Sequence, residues 1–167
     1  INNNVIGFAA PNATGTTNMI GLNSGSLGGT FPSAFTAGGA ANATRFVGIN
    51  CFFAAGGAVS SIQNNTIGGI AIYSSGVSTT LGTLCGIAVL NGNANIGTIT
   101  GNTIGSTSAA GSLYAANTLA GGVISGIYCT TTNTITIQNN TVGGIDVSGT
   151  TTTTAAGFKG IEVAGTG

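Results

Sequence analysis

The chain has 167 residues, 31 of them glycine, and its only charged side chains are two basic and two acidic ones. Because binding to nucleic acid needs several basic contacts with phosphates, this composition excludes a nucleic acid as partner. A hydrophobic fraction of 42% argues against disorder, and no apolar run approaches the roughly 18 residues that a membrane-spanning helix needs. The helix-forming residues Glu, Lys, Arg and Gln are nearly absent and β-branched residues are evenly spaced, so we expect an all-β chain without membrane insertion.

A seven-residue pattern of isoleucine, asparagine, threonine and glycine opens the chain and returns three times. Its copies begin at Ile1, Ile62, Ile99 and Ile137. The last three copies follow each other at a spacing of about 37 residues, and a fixed period of this kind indicates a repeat architecture. We therefore predict a single domain over residues 1–167, with units that start near 1, 62, 99 and 137. Residues 8–47 are predicted to form an irregular turn with an insertion.

A second pattern, Gly-Ile-x-Val or a close variant, recurs between the copies of the first. Its glycines are Gly48, Gly69, Gly86, Gly126, Gly144 and Gly160. The gap from Gly86 to Gly126 is about twice as long as the others, and it becomes two turns if Ser106-Thr107-Ser108-Ala109 fills a missing place. Two such turns fit into each unit of the first pattern. The predicted fold is therefore a parallel β-helix (β-solenoid) with turns of about 16–21 residues.

Side chains alternate between the two faces of a strand, so the residues one and three places after each glycine share a face. All of these residues are apolar, which predicts an inward face. The first of the two positions is predicted to form a core ladder of Ile49, Ile70, Ile87, Ile127, Ile145 and Ile161. The place between the two positions varies and is predicted to face outward. It holds Asn50, Ala71, Ala88, Tyr128, Asp146 and Glu162.

Three other positions carry structural expectations of their own. The glycine before each strand is expected to make a bend, since glycine tolerates a positive φ. Asn65, Asn102 and Asn140 share one place in the first pattern, and they are predicted to form a hydrogen-bonded asparagine ladder at a corner. Cys51 and Cys129 are expected four turns apart, at about 19 Å, which is too far for a disulfide. All three cysteines are therefore predicted to be unpaired.

Asn-Asn-Thr-Ile-Gly, as at residues 64–68, together with the short predicted turns, resembles the right-handed parallel β-helix repeats of the pectate-lyase-like type. In particular it is similar to the Asn-, Thr- and Gly-rich repeats of large bacterial secreted and surface proteins. The resemblance covers residues 1–7 and 48–167. It implies an extracellular or cell-surface location. Because this group includes lyases, hydrolases, adhesins and structural fibres, the fold alone does not choose an activity.

Few side chains are able to take part in catalysis or metal binding, because the chain has no histidine and only four charged side chains. We expect no metal site, no cofactor and no catalytic triad. Tyr128, Asp146 and Glu162 share the outward column and are the candidate ligand-binding residues, with a polysaccharide as the possible ligand. Two carboxylates at about 5 Å would also suit a retaining glycosidase. Solvated surface charges are the simpler interpretation of this pair.

The sequence favours a non-enzymatic structural or adhesive protein. A solenoid without capping segments exposes strand edges, so we expect end-to-end self-association or continuation in a longer repeat chain. The product would be a fibre or a filament. Two alternatives stay open: a carbohydrate-binding or carbohydrate-active β-helix that is a fragment of a larger surface protein, and a passive stalk.

Overall fold

The computed structural model describes residues 1–8, 15–21, 45–74, 81–108, 112–117, 123–147 and 157–165. These residues contain fifteen β-strands and no helix. None of their segments is therefore a helix that could cross a membrane. The strands fall into four groups along the chain, and each group is called a pass.

The first pass contains β1 (Val5–Gly7), β2 (Thr17–Gly21), β3 (Phe46–Phe52) and β4 (Ser60–Ile62). The second contains β5 (Thr66–Gly68), β6 (Ile70–Ser74), β7 (Leu84–Asn91) and β8 (Ala94–Ile96). The third contains β9 (Thr103–Gly105), β10 (Leu113–Asn117), β11 (Val123–Cys129) and β12 (Ile135–Ile137). The fourth contains β13 (Thr141–Gly143), β14 (Ile145–Asp146) and β15 (Gly157–Val163).

Each strand pairs in parallel with the strand that occupies the same place in the next pass. Four sheets result: sheet 1 (β1-β5-β9-β13), sheet 2 (β2-β6-β10-β14), sheet 3 (β3-β7-β11-β15) and sheet 4 (β4-β8-β12). The described strands of each pass visit these sheets in the same order. The expectation of an all-β chain of parallel strands in stacked sheets is thus confirmed.

The predicted turn of about 16–21 residues is wrong, because paired strands are a whole sequence unit apart. Thr66 pairs with Thr103, and Thr103 pairs with Thr141, so each pairing spans the full spacing of the seven-residue pattern. The two Gly-Ile-x-Val strands of one unit, β6 and β7, lie in different sheets. Their patterns look alike because both strands line one core, and alternation reports which face is inward but not which sheet the strand joins.

The missing copy of this pattern lies later in the chain than predicted. Leu113 pairs with Ile70 on one side and with Ile145 on the other, so Ser112-Leu113-Tyr114-Ala115 occupies the place. The segment predicted for it, residues 106–109, forms no strand over its described residues 106–108. Ser112 stands in the place of the glycine and Leu113 in the place of the isoleucine, so this copy does not match the pattern in the sequence.

The predicted core ladder is two ladders. Sheet 3 aligns Ile49, Ile87, Ile127 and Ile161. Sheet 2 aligns Ile70, Leu113 and Ile145. Ile49, Ile70, Ile87 and Ile127 are buried as predicted. Ile145 is half-buried and Ile161 is 52% exposed, since both lie in the last described strand of their sheets.

The glycines of sheet 3 leave space for side chains of sheet 1, and they do not form the expected bend. A Cβ on Gly86 would lie 2.6 Å from Cγ2 of Ile104, a residue of β9. No positive φ occurs at Gly86 or at its described counterparts in sheet 3. The expected positive φ does occur before sheet 2, at Gly69 (61°) and Gly144 (62°). One sequence pattern therefore serves two purposes, close packing in one sheet and a bend before the other.

All three cysteines are free, as predicted, and all three are buried. The geometry behind that prediction needs correction, because Cys51 and Cys129 both pair with Val89. They are two strand spacings apart, or about 10 Å, which still exceeds disulfide range. Burial raises the pKa of Cys85 to about 12 and that of Cys129 to about 11, so both remain neutral thiols and act as small core side chains.

Candidate functional site

The corner before sheet 1 is built on a ladder of asparagine side chains. Asn65 donates from Nδ2 to Oδ1 of Asn102 at 2.8 Å, and Asn102 donates in the same way to Asn140 at 2.7 Å. The structure thus brings together the three predicted residues and adds Asn4, which donates to Asn65 at 2.9 Å. Each accepting Oδ1 also receives the backbone N–H of the donor. The ladder links all four passes at one corner.

The left-handed backbone at this corner belongs to the residue that precedes the ladder position. Asn3, Asn64 and Asn139 have φ values of 61°, 52° and 56°. Asparagine is among the residues that tolerate this conformation. The consecutive asparagines therefore have separate tasks: the first turns the chain, and the second joins the passes.

The connection between the second and third passes contains a short insertion that the sequence pattern concealed. Ile96, not Ile99, pairs with Ile62 and with Ile137. Ile99 is 84% exposed on the intervening segment, residues 97–101. The seven-residue pattern had aligned Ile99 with Ile62, because the insertion happens to place an isoleucine three positions before Asn102.

Gln63 holds this inserted segment. Its Oε1 accepts from the backbone N–H groups of Ile99 (3.1 Å) and Thr100 (3.2 Å). Its Nε2 donates to the Asn95 carbonyl and to the Thr98 hydroxyl. Gln63 is only 6% exposed, so its side-chain amide, rather than water, provides hydrogen-bond partners for this non-strand segment.

Replacing Gln63 with Leu is expected to lower the free energy of unfolding by about 2 kcal/mol, because two partly buried N–H groups lose their acceptor. Gln138→Leu is the matched control, since Gln138 occupies the same place two passes later and is exposed. Urea unfolding followed by circular dichroism measures both changes. Equal midpoints for the two variants would contradict the capping role.

The predicted ligand-binding residues are only partly brought together. Tyr128 and Glu162 are register partners on sheet 3. Asp146 lies in sheet 2 beside Tyr114, where burial and then the charge of Asp146 raise the pKa of Tyr114. Asp146 and Glu162 therefore do not share a column, and the predicted carboxylate pair at about 5 Å is wrong. The error follows from the turn length, which placed two sheets in one column.

The outward column of sheet 3 is itself partly covered. Asn50 is exposed as predicted, but Ala88 is fully buried and packs with Leu81 and Cys85. Leu81 comes just before β7 and lies across the outer face of the sheet. No sequence signal indicates this cover, because a single leucine outside the repeat has no periodicity.

Next to this cover is a pocket of about 80 Å³. Its lining residues are Leu81, Gly82, Val123, Ser125, Tyr128, Lys159 and Glu162. Lys159 and Glu162 form an ion pair at its rim, with side chains 47% and 21% exposed. Sequence reasoning found Tyr128 and Glu162 but missed Ser125, which looks like one more small residue of a serine-rich chain.

The chemistry available in this pocket is hydrogen bonding and ring contact. Within the described ranges, no group of three or more His, Cys, Asp or Glu side chains could hold a metal ion. The one carboxylate of the pocket, Glu162, is held by Lys159. The residues that line the pocket lack the second carboxylate of a two-carboxylate glycosidase site, and the remaining groups can bind a ligand through hydrogen bonds.

Comparison of the chain with protein-family models, with curated proteins and with solved structures gave no match. Its function therefore has to follow from its own geometry.

Proposed function

We propose that the chain is a section of a non-enzymatic β-solenoid with a structural or adhesive role at the surface of a bacterium or outside it. Its passes are turns of a parallel β-helix, and it builds a fibre or filament by pairing end to end. The observation that carries this proposal is that successive passes add strands to the same sheets. The outermost strands of these sheets carry exposed apolar side chains.

These apolar side chains lie in both outer passes. In the last pass, Ile161 and Val163 are 52% and 59% exposed, although their partners Ile127 and Cys129 are fully buried. In the first pass, Val5 is 60% exposed. Strand edges of this kind favour the addition of further strands, because addition pairs the free backbone groups and buries apolar surface.

The two outer passes are also complementary to each other. Sheet 3 aligns Ile49 with Ile161 and Cys51 with Val163 through the intervening strands, so β3 of another copy could follow β15 while both columns stay apolar. With only four charged residues in the chain, little repulsion opposes this contact. Head-to-tail contacts do not close on themselves, so they favour a filament with strands spaced by about 4.8 Å along its axis.

The main alternative is a carbohydrate-binding or carbohydrate-active β-helix that is a fragment of a larger surface protein, for which Asp146 and Glu162 were the candidate catalytic pair within this chain. Their placement in different sheets favours the structural role.

Assembly is expected to depend on the apolar edge of β15. Ile161→Lys should abolish concentration-dependent assembly, because it places a charge where the next pass would pack. Ile99→Lys is the matched control, since Ile99 is equally apolar and exposed but lies on the inserted segment. Sedimentation velocity over a range of concentrations measures assembly, and fibre diffraction tests for a meridional reflection near about 4.8 Å. A parent chain that stays monomeric, or an Ile161→Lys variant that assembles like the parent, would contradict the proposal.

A further inference from the structure

The hydroxyl of Ser125 is a buried polar group without a partner among the described residues. Ser125 is 1% exposed and lines the pocket on the outer face of sheet 3. A buried hydroxyl that lacks a partner costs about 1–3 kcal/mol, so such groups are rare unless water or a ligand satisfies them. The pocket provides space for a water molecule or a ligand group beside Ser125.

The groups around this hydroxyl have complementary capacities. The Lys159 ammonium has donors only, the Glu162 carboxylate has acceptors only, and the Ser125 hydroxyl can do both. Because Lys159 and Glu162 are paired, the pocket carries no net charge and offers no advantage to an ionic ligand. The ring of Tyr128 supplies an apolar wall beside these polar groups.

The size of the pocket limits what can enter. Its volume of about 80 Å³ compares with the roughly 10–15 Å³ that one water molecule needs on the same measure. A few water-sized groups, such as two neighbouring hydroxyl groups with their carbons, fit this space. A larger ligand would insert one edge and leave its remainder outside.

The segment that covers the sheet lies close against β11, and a glycine makes this approach possible. Gly82 has a φ of 72°, and a Cβ on it would lie 2.0 Å from the carbonyl oxygen of Val123. The N–H of Thr83 also donates to this oxygen at 2.8 Å. The covering segment is thereby bonded to β11 on one side of the pocket.

We propose that this pocket binds a vicinal diol at the edge of a neutral sugar, such as the end of a glycan chain. One sugar hydroxyl bonds to Ser125, and its neighbour donates to Glu162 and accepts from Lys159. The sugar ring extends out of the pocket along Tyr128. Because every lining residue comes from one chain, the site does not depend on filament formation. This inference rests on the proposed function for its context. It names the chemistry of a ligand for the structural or adhesive β-solenoid.

The test uses the parent chain, titrated with methyl β-glucoside, methyl α-mannoside and methyl β-galactoside and followed by amide chemical shifts. At least one glycoside should bind with a Kd of about 1 mM and shift the amides of Ser125 and Tyr128. Ser125→Ala and Tyr128→Leu should each weaken binding by about tenfold. Ser61→Ala, a serine substitution in sheet 4, is the control and should leave affinity unchanged.

Folding of the variants can be followed separately. Ser125→Ala removes an unpartnered hydroxyl, so its urea midpoint should equal or exceed that of the parent. Glu162→Gln provides a second variant that keeps the shape of the pocket but changes its charge, and it should favour glucuronic acid over the neutral glycosides. Three results would each overturn the proposal: no shift with any glycoside, full affinity in folded Ser125→Ala, or equal binding of glucuronic acid by the parent chain. None of these results bears on assembly, which Ile161→Lys tests by itself.

Discussion

Replacing Ile127 with Asp is expected to prevent the chain from folding. Ile127 is fully buried at the centre of sheet 3, between Ile87 and Ile161. The substitution removes a large apolar side chain and places a carboxylate in an apolar core without a cation beside it, which costs about 5 kcal/mol or more. Because domains of this size are stable by only about 5–15 kcal/mol, far-ultraviolet circular dichroism should show loss of the β signal.

Ile99→Asp is the control for this experiment. It makes the same chemical change at a side chain that is 84% exposed, so its stability should stay within about 0.5 kcal/mol of the parent. A folded Ile127→Asp variant with the same urea midpoint as Ile99→Asp would show that sheet 3 does not bury this face.

The second large effect is expected at the asparagine ladder. Asn102 is 1% exposed, and its side chain donates to the Ile62 carbonyl and to Asn140. It also accepts from the backbone and side-chain N–H groups of Asn65. Asn102→Ala leaves several of these groups buried without partners, so we expect a loss of about 3 kcal/mol in the free energy of unfolding.

Asn50→Ala is the matched control for Asn102, because Asn50 is an exposed asparagine on the outer face of sheet 3. Its stability should change by less than about 0.5 kcal/mol. Urea unfolding gives the midpoints, and hydrogen exchange of the Asn65 amide reports on the ladder directly. If Asn102→Ala were as stable as Asn50→Ala, with the Asn65 amide still protected, the ladder would make no contribution to stability.

The strand class, much of the inward face and the asparagine corner could be predicted from the sequence, because each depends on local alternation or on one recurring residue type. Ile87 and Ile127 illustrate this, since their burial follows from the pattern around them. The assignment of strands to sheets could not be predicted in the same way. Ile70 and Ile87 have near-identical neighbours, but they line different sheets of one core, and local patterns contain no information on that difference.

The candidate site was less accessible to sequence reasoning than the fold. Tyr128 and Glu162 were placed together correctly because both lie in sheet 3, whereas Asp146 was misplaced by a whole sheet. Ser125 became informative only through its burial and its lack of a partner among the described residues. These properties depend on Leu81 and Gly82 crossing the face of the sheet, a long-range contact that no repeat predicts.

The arrangement of pairs between successive passes also has a consequence for the folding pathway. Within the described ranges, a strand such as β7 pairs with β3 and β11, so each of these strand pairs forms only after the chain has travelled one complete pass. We therefore expect folding to begin with a slow, entropically unfavourable nucleus of two adjacent passes, since a long loop must close before any pairing compensates. Each later pass then adds to an existing template, as in a one-dimensional growth process.

The opening strand of the chain is expected to join this template late. Val5 in β1 pairs with Thr66, whereas Thr66 in β5 pairs with Thr103, so β1 must close a longer stretch of chain than β5 does. Loop-closure entropy favours the shorter closure. The second, third and fourth passes should consequently meet first, and the asparagine corner should grow from Asn102 outward, with Asn4 as its last member.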